Sequence, residues 1–276
     1  MTEQPHVTLN DGRRMPQLGL GVWRTPKDDA AEVVKTAIAA GYRHIDTAAA
    51  YANERGVGEG VAASGVARGD LFVTTKLWNA DQGYDAALAA FDKSRGRLGE
   101  APVDLYLIHW PAPAKGLYVD TWRALVRLKE EGRALSIGVS NFCAEHLERI
   151  IGETGVVPAV NQVECHPRFQ QRALRDVHQQ HGIHTESWSP LGQGQLLEDA
   201  VIGGVAAKHG KTPAQVIIRW HLDSGLIVIP KSVTPSRIRQ NVSVFDFSLD
   251  AADMAALAGL DSADGRIGPD PMTADF

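Results

Sequence analysis

Short apolar runs alternate with longer helical ones along nearly the whole chain, and this alternation limits the fold more than any other feature. The runs YRHID, LFVTTK, VDLYLIHW, ALSIGVS, AVNQVE, IHTESW and LIVIP, with an earlier one near 19–22, have the length and apolar content of buried strands. Between them lie segments of helical period: DDAAEVVKTAIAAG, residues 53–63, YDAALAAFDKSRGRLG, VDTWRALVRLKEEG, residues 143–151, QRALRDVHQQHG, TPAQVIIRWHLDSG and TPSRIRQN. Gly41 stops the first, and Thr212 with Pro213 starts the seventh as cap and first-turn residue. Eight strand-helix units fit 276 residues with little to spare, so the chain is expected to be an α/β protein, a (β/α)8 TIM barrel. HVTLN and RMPQLGL flank the turn Asn10-Asp11-Gly12 and predict an opening β-hairpin able to plug one end. A last helix near 248–258 precedes a tail rich in Gly and Pro. No Gly/Ser-rich or Pro-rich linker divides the chain, which reads as a single domain over 1–276.

Bulk properties narrow the function class. A formal net charge of −5 argues against a nucleic-acid partner. No apolar run reaches membrane-spanning length, and MTEQPHVTLN lacks the basic-then-apolar pattern of a secretory signal. Cys143 and Cys165 form no close pair of the kind found in zinc sites or disulfide frameworks, and both read as small packed residues. A cytoplasmic protein acting on a small molecule, with no metal, fits these features.

The chemistry gathers at strand ends. Asp46, Tyr51, Lys76 and His109 each end or follow an apolar run, and in a parallel barrel all four emerge at one rim. A tyrosine phenol titrates near pH ~10, too high for efficient proton transfer at neutrality unless a neighbouring cation favours the phenolate. Lys76 is placed to do this, with Asp46 keeping the ammonium charged and His109 orienting a carbonyl. This set suits carbonyl reduction, with Tyr51 protonating the oxygen. Rival readings use the same groups. Lys76 as a Schiff-base nucleophile requires a neutral amine, which an ion pair opposes. His44, His109 and His166 lack the close spacing of a metal site, and His44 reads as a packed core histidine. A surface tyrosine beside an unrelated salt bridge is the plainest alternative.

GLGVWR lacks the third glycine of the dinucleotide-fold fingerprint. The segment IPKSVTPSRIRQN instead sets Lys231, Ser232 and Arg237 at a helix start, a combination that suits phosphate as well as a solvated basic turn. Trp23, Trp78, Trp110 and Trp188 fall just beyond strands and either line an upper pocket or pack its rim.

The blocks GYRHIDTAAAYANERGVG, VTTKLW, DLYLIHWP, IGVSNF, VNQVECHP, WSPLGQG and IPKSVTPSRIRQN together resemble the aldo-keto reductases over essentially the whole length, most closely the bacterial 2,5-diketo-D-gluconate reductases. The resemblance implies NADPH as cofactor and a barrel closed below by the hairpin. It implies a catalytic tetrad of Asp46, Tyr51, Lys76 and His109, with Tyr51 the general acid. It implies Ser140, Asn141 and Gln162 on the nicotinamide carboxamide and Trp188 stacked on that ring. Ser189, Leu191, Gly192 and Gln193 would lie in the pyrophosphate loop, and Lys231, Ser232, Val233 and Arg237 at the adenosine 2′-phosphate. Gln240 and Asn241 would meet adenine, Gln240 standing where glutamate is common in the family. Trp23, Ala49, Trp78, His109, Trp110 and the 268–276 tail are the expected substrate contacts. The short PAPAKGLYVDTW segment and short tail match the bacterial members and imply an open site, and the resemblance itself implies a monomer. The implied reaction is reduction of 2,5-diketo-D-gluconate to 2-keto-L-gulonate, the alternatives being a broad aldehyde and ketone reductase or a nucleotide-binding regulatory subunit. The intact tetrad argues against the last.

Overall fold

The hairpin is formed by β1 (His6–Thr8) and β2 (Arg14–Pro16), paired antiparallel with Val7 opposite Met15. Gly12 turns the chain at φ 84°, a conformation open to glycine at no steric cost. This computed structural model describes residues 4–274; residues 1–3 of the opening segment and 275–276 of the tail lie outside the described residues.

Eight parallel strands follow: β3 (Gly19–Gly21), β4 (His44–Asp46), β5 (Phe72–Leu77), β6 (Val103–Ile108), β7 (Ala134–Ser140), β8 (Val160–Glu164), β9 (His184–Trp188) and β10 (Ile227–Val228). Each pairs with the next, and the bridges Leu18–Val228 and Gly21–Lys231 join the last to the first, so the sheet closes into a barrel. Every residue of β5 and β6 is buried, which is why these strands read as continuous apolar runs without alternation. The helices around the barrel are α1 (Ala30–Ala40), α2 (Glu54–Ala62), α3 (Tyr84–Leu98), α4 (Tyr118–Glu130), α5 (Ala144–Thr154), α6 (Arg172–His181), α7 (Ala200–His209), α8 (Pro213–Asp223), α9 (Pro235–Val242) and α10 (Ala251–Ala258).

The expected signals act as read. Gly41 closes α1 in the left-handed region, and Thr212 caps α8 in a capping box with Gln215. Helix α7 is an addition to the expected pattern. Its Gly203-Gly204 pair weakens the helical signal, while Asp199 caps its start by accepting from Val201 and Ile202. The hairpin does plug one end: Leu9 and Met15 pack with Phe72, Leu105, Leu107, Val160 and Ile227 near the strand starts. Polar side chains therefore have the opposite end. Among the described residues no helix is long and apolar enough to cross a membrane.

Candidate active site

Strand alternation builds the site. On β8, Val160 packs under the hairpin while Gln162 and Glu164, two and four residues on, point the same way higher up. On β9, His184 bonds to Thr8 O of the hairpin at 2.9 Å, Glu186 sits midway and Trp188 reaches the rim. His44 and Asp46 share one side of β4 by the same rule. The result is a polar layer inside the barrel, beneath an open cleft.

Lys76 is its centre and is fully buried. Its Nζ donates to Asp46 Oδ1 at 2.7 Å and to Thr47 O at 2.8 Å, and lies 5.2 Å from the centroid of the Tyr51 ring. Gln162 Nε2 donates to Asp46 Oδ2 and to Glu186 Oε2, both at 2.8 Å. Both amide hydrogens are thereby used inward. Burial is the largest influence and opposes the Lys76 ammonium, but the charge and hydrogen bond of Asp46 together with Tyr51 and Glu186 outweigh it and hold the group above its usual range. Burial raises the Asp46 carboxyl, with Lys76 pulling against it. Glu186 is pushed up to about 8 by burial and then by Asp46. His44, Asp46 and Glu186 bring ligand atoms within 4.8 Å of one another, yet the cation seated in this cluster is the Lys76 ammonium. His44 is a core histidine bonded to Thr74 Oγ1 at 3.1 Å and held to about 3 by burial and by Lys76.

Tyr51 closes a short 3-10 turn, Ala49–Tyr51, over this layer. Lys76 acts on the phenol as expected, but burial acts first and more strongly, so the hydroxyl titrates above its usual value in the free protein. It is a protonated donor at neutral pH. His109 lies against Tyr51 and Trp78, ring centroids 5.7 and 5.3 Å away, both edge to face. Burial and Lys76 hold it well below the usual histidine range, so it is neutral and keeps one ring N–H.

A cavity of about 620 Å³ opens above these groups. Asp46, Tyr51, His109, Ser140, Asn141, Gln162, Trp188, Ser189, Gln193 and Lys231 line it, as do Trp23, Trp78 and Trp110. Lys76 lies behind Asp46 and Tyr51 and does not line it. Ala50, not Ala49, faces the cleft. A 3-10 turn rotates about 120° per residue, which sends Ala49 to a neighbouring groove with Lys27 and Asp28. Asn141 Nδ2 donates to His109 O and Ser140 Oγ, and Trp188 Nε1 donates to Asn141 Oδ1 at 2.8 Å.

A second cavity, about 590 Å³, continues the first and shares Trp23, Ser189, Pro190, Gln193 and Lys231 with it. Leu191, Ser232, Val233, Arg237, Gln240 and Asn241 line this part. Gly192 faces neither cavity. It is buried, its N–H bonded to Ser189 O. Asn141, Ser189 and Gln193 all hold positive φ, a backbone strain that clusters at working sites. Two further carboxylates, buried next to the cleft and not lining it, are not singled out by the sequence: Glu186 and Glu164. The available signal is placement: each stands two residues from Trp188 or Gln162 on its strand, and so on the same side.

The comparisons agree with this geometry. The model of the Aldo/keto reductase family matches residues 15–262. The chain is 60% identical to an aldo-keto reductase of Mycolicibacterium smegmatis, over 99% of this chain and 98% of that one. It is 54% identical to the methylglyoxal reductase DkgA of Yersinia pestis, over 98% of each. Among solved structures, an aspartate-to-alanine mutant of Gox0644 in complex with NADPH superposes with a TM-score of 0.96, at 58% identity and 99% coverage of both chains. With the barrel, the hairpin and the polar layer in place, these matches show that the chain belongs to the aldo/keto reductase family.

Proposed function

We propose that this protein reduces small carbonyl compounds with NADPH, and that short α-oxo aldehydes and α-keto esters are its substrates. One observation carries the reading: a protonated phenol, a neutral imidazole and a buried ammonium converge under a cleft walled by tryptophans. The cleft fits the cofactor by its donors. Gln162 has its amide hydrogens fixed on two carboxylates, leaving its carbonyl oxygen to accept from a carboxamide N–H. Trp188 offers a flat surface, its orientation set by Asn141. Lys231 and Arg237 supply cations at the far end, suited to a 2′-phosphate. When bound, NADPH supplies hydride from its nicotinamide C4.

The chain's own residues do the rest. His109 donates its ring N–H to the substrate carbonyl oxygen and fixes its direction. Tyr51 gives its proton to that oxygen as the carbon is reduced. The phenolate left behind is stabilised by Lys76, whose charge Asp46 secures. In the reverse direction Tyr51 takes the proton back. Trp23, Trp78 and Trp110 exclude water around the reacting carbon, which strengthens these charges.

The wall supports a choice between substrates. Four tryptophans contribute to it, and the cation lining it, Lys231, stands at the cofactor end. A relative at 54% identity is named for methylglyoxal. These points favour methylglyoxal over 2,5-diketo-D-gluconate, whose carboxylate calls for a cation of its own. Loss of NADPH absorbance with methylglyoxal, ethyl pyruvate and 2,5-diketo-D-gluconate at matched concentrations tests this. The highest kcat/KM is expected for an uncharged carbonyl. A preference for the sugar acid would reverse the order, and no NADPH oxidation with any of them would end the reading.

A further inference from the structure

Glu164 ends β8 at the cleft and is 1% exposed, yet the reduction steps above do not use it. Its two oxygens are committed to the C-terminal tail. Oε1 accepts from Ile267 N at 2.6 Å and Oε2 from Gly268 N at 2.7 Å. His166 Nε2 lies 3.1 Å from Oε1 on the other side. Burial works against this carboxylate, but these bonds outweigh it and hold it below its usual range. A buried, ionised acid satisfied by two backbone N–H groups is a strong tether, because charge-assisted bonds are about twice the strength of neutral ones.

The tether acts on a segment already anchored upstream. Ser262 N donates to Arg168 O at 3.0 Å, and the Arg266 guanidinium stacks 4.7 Å from the Phe169 ring. Just beyond the tether, Gly268 and Pro269 form part of the cleft wall. The approach there is close: a Cβ on Gly268 would lie 2.5 Å from Trp188 Cη2 and 2.9 Å from Glu164 Oε2. The backbone rests on the indole edge, and Trp188 in turn bonds Asn141, which bonds His109 O.

We propose that Glu164 is a positioning residue that sets substrate size, by fixing residues 267–269 as a wall beside Trp188 and so limiting the group carried on the carbonyl. The proposal rests on the carbonyl-reductase reading and deepens it. Side chains that line a pocket discriminate by contact. Glu164 discriminates through the backbone it holds, so its removal relaxes selection more than it slows the chemistry.

The test compares wild type, Glu164→Gln and Gly268→Ala. A glutamine offers one acceptor to two N–H donors, and the alanine keeps the Glu164 carboxylate but pushes the wall away, its Cβ meeting Trp188 Cη2 and Glu164 Oε2. Each protein is assayed with NADPH and either ethyl pyruvate or ethyl benzoylformate, the same α-keto ester with phenyl in place of methyl. The kcat/KM ratio of small to large substrate is expected to fall about tenfold in both variants, the scale of a hydrophobic pocket's discrimination. Amide exchange at Ile267 in the ligand-free protein is expected to speed up at least about tenfold in Glu164→Gln. An unchanged ratio with faster exchange would overturn the role in selection, and unchanged exchange would overturn the tether. If Glu164→Gln does not fold, the Gly268→Ala ratio decides the matter. If wild type oxidises NADPH with neither ester, the reductase reading itself fails, visible in that arm alone, and this proposal falls with it.

Discussion

The two flanks of the cleft are built on opposite plans. On the β4–β6 flank, Asp46 and Lys76 are buried and bonded to each other and to backbone at 2.7–2.8 Å around the ammonium, with buried His109 packed against Tyr51 and Trp78. On the flank from β9 to α9, Val233 is 40% exposed, and Lys231, Arg237 and Gln240 are also exposed along an open groove. The first flank holds charge in a dry setting, where its geometry is set before any ligand arrives. The second offers charge at a surface, where it is worth less per contact and can be redistributed. The contrast suggests that the barrel core carries the chemistry and the groove carries affinity and cofactor choice.

Substitutions on the two flanks should therefore fail differently. Lys76→Met should have the largest effect. It removes the cation behind Tyr51 and leaves Asp46 buried without its partner. A fall in kcat of about 10²–10⁴-fold is expected, with about 3–5 kcal/mol lost from denaturant unfolding. A variant within about threefold of wild type in kcat would break the claim that the core carries the chemistry.

Glu186→Gln comes next and shows through pH. The folded protein holds the Glu186 proton up to about 8, because burial and then Asp46 disfavour its charge. The unfolded chain releases it near the ordinary glutamate value of 4.5, so the folded state binds more protons between these limits and loses stability as pH rises through them. Glutamine has no proton to release. The variant should gain on wild type by a few kcal/mol, on the order of magnitude set by the shift, between pH 5 and pH 9. Parallel stability curves would mean that Glu186 ionises as freely inside the barrel as outside.

Arg237→Ala should have the smallest effect and a selective one. The KM for NADPH should rise about tenfold while kcat and the KM for NADH change little, as expected for one exposed phosphate contact. Equal losses with both cofactors would remove the 2′-phosphate assignment and blur the contrast between the flanks.

Much of this was legible in the chain. Strand ends are where short apolar runs stop at a polar residue, so Asp46, Lys76 and His109 could be placed on one rim without coordinates. Tyr51 was legible as a residue but not in its environment, since burial outweighs Lys76 only once the layer beneath is known. Helix α7 was hidden by Gly203 and Gly204, whose low propensity is overridden by packing of Ile202, Val205 and Ala206 into the core. Ala49 shows the limit of local reading, because a one-residue step on a 3-10 turn changes which side faces the cleft. Glu164 and Glu186 were obscured by long-range pairing. One accepts from backbone 103 and 104 residues away, and the other accepts at Oε2 from an amide on the neighbouring strand.

The central claim is that Tyr51 is the acid of a carbonyl reduction and not a binding residue. Tyr51→Phe keeps the ring and removes only the hydroxyl. Measured with methylglyoxal and NADPH, kcat should fall by at least about 10³-fold, while the Kd for NADPH from fluorescence titration stays within about threefold of wild type. Retained turnover, or a lost Kd with kcat preserved at saturation, would contradict the assignment.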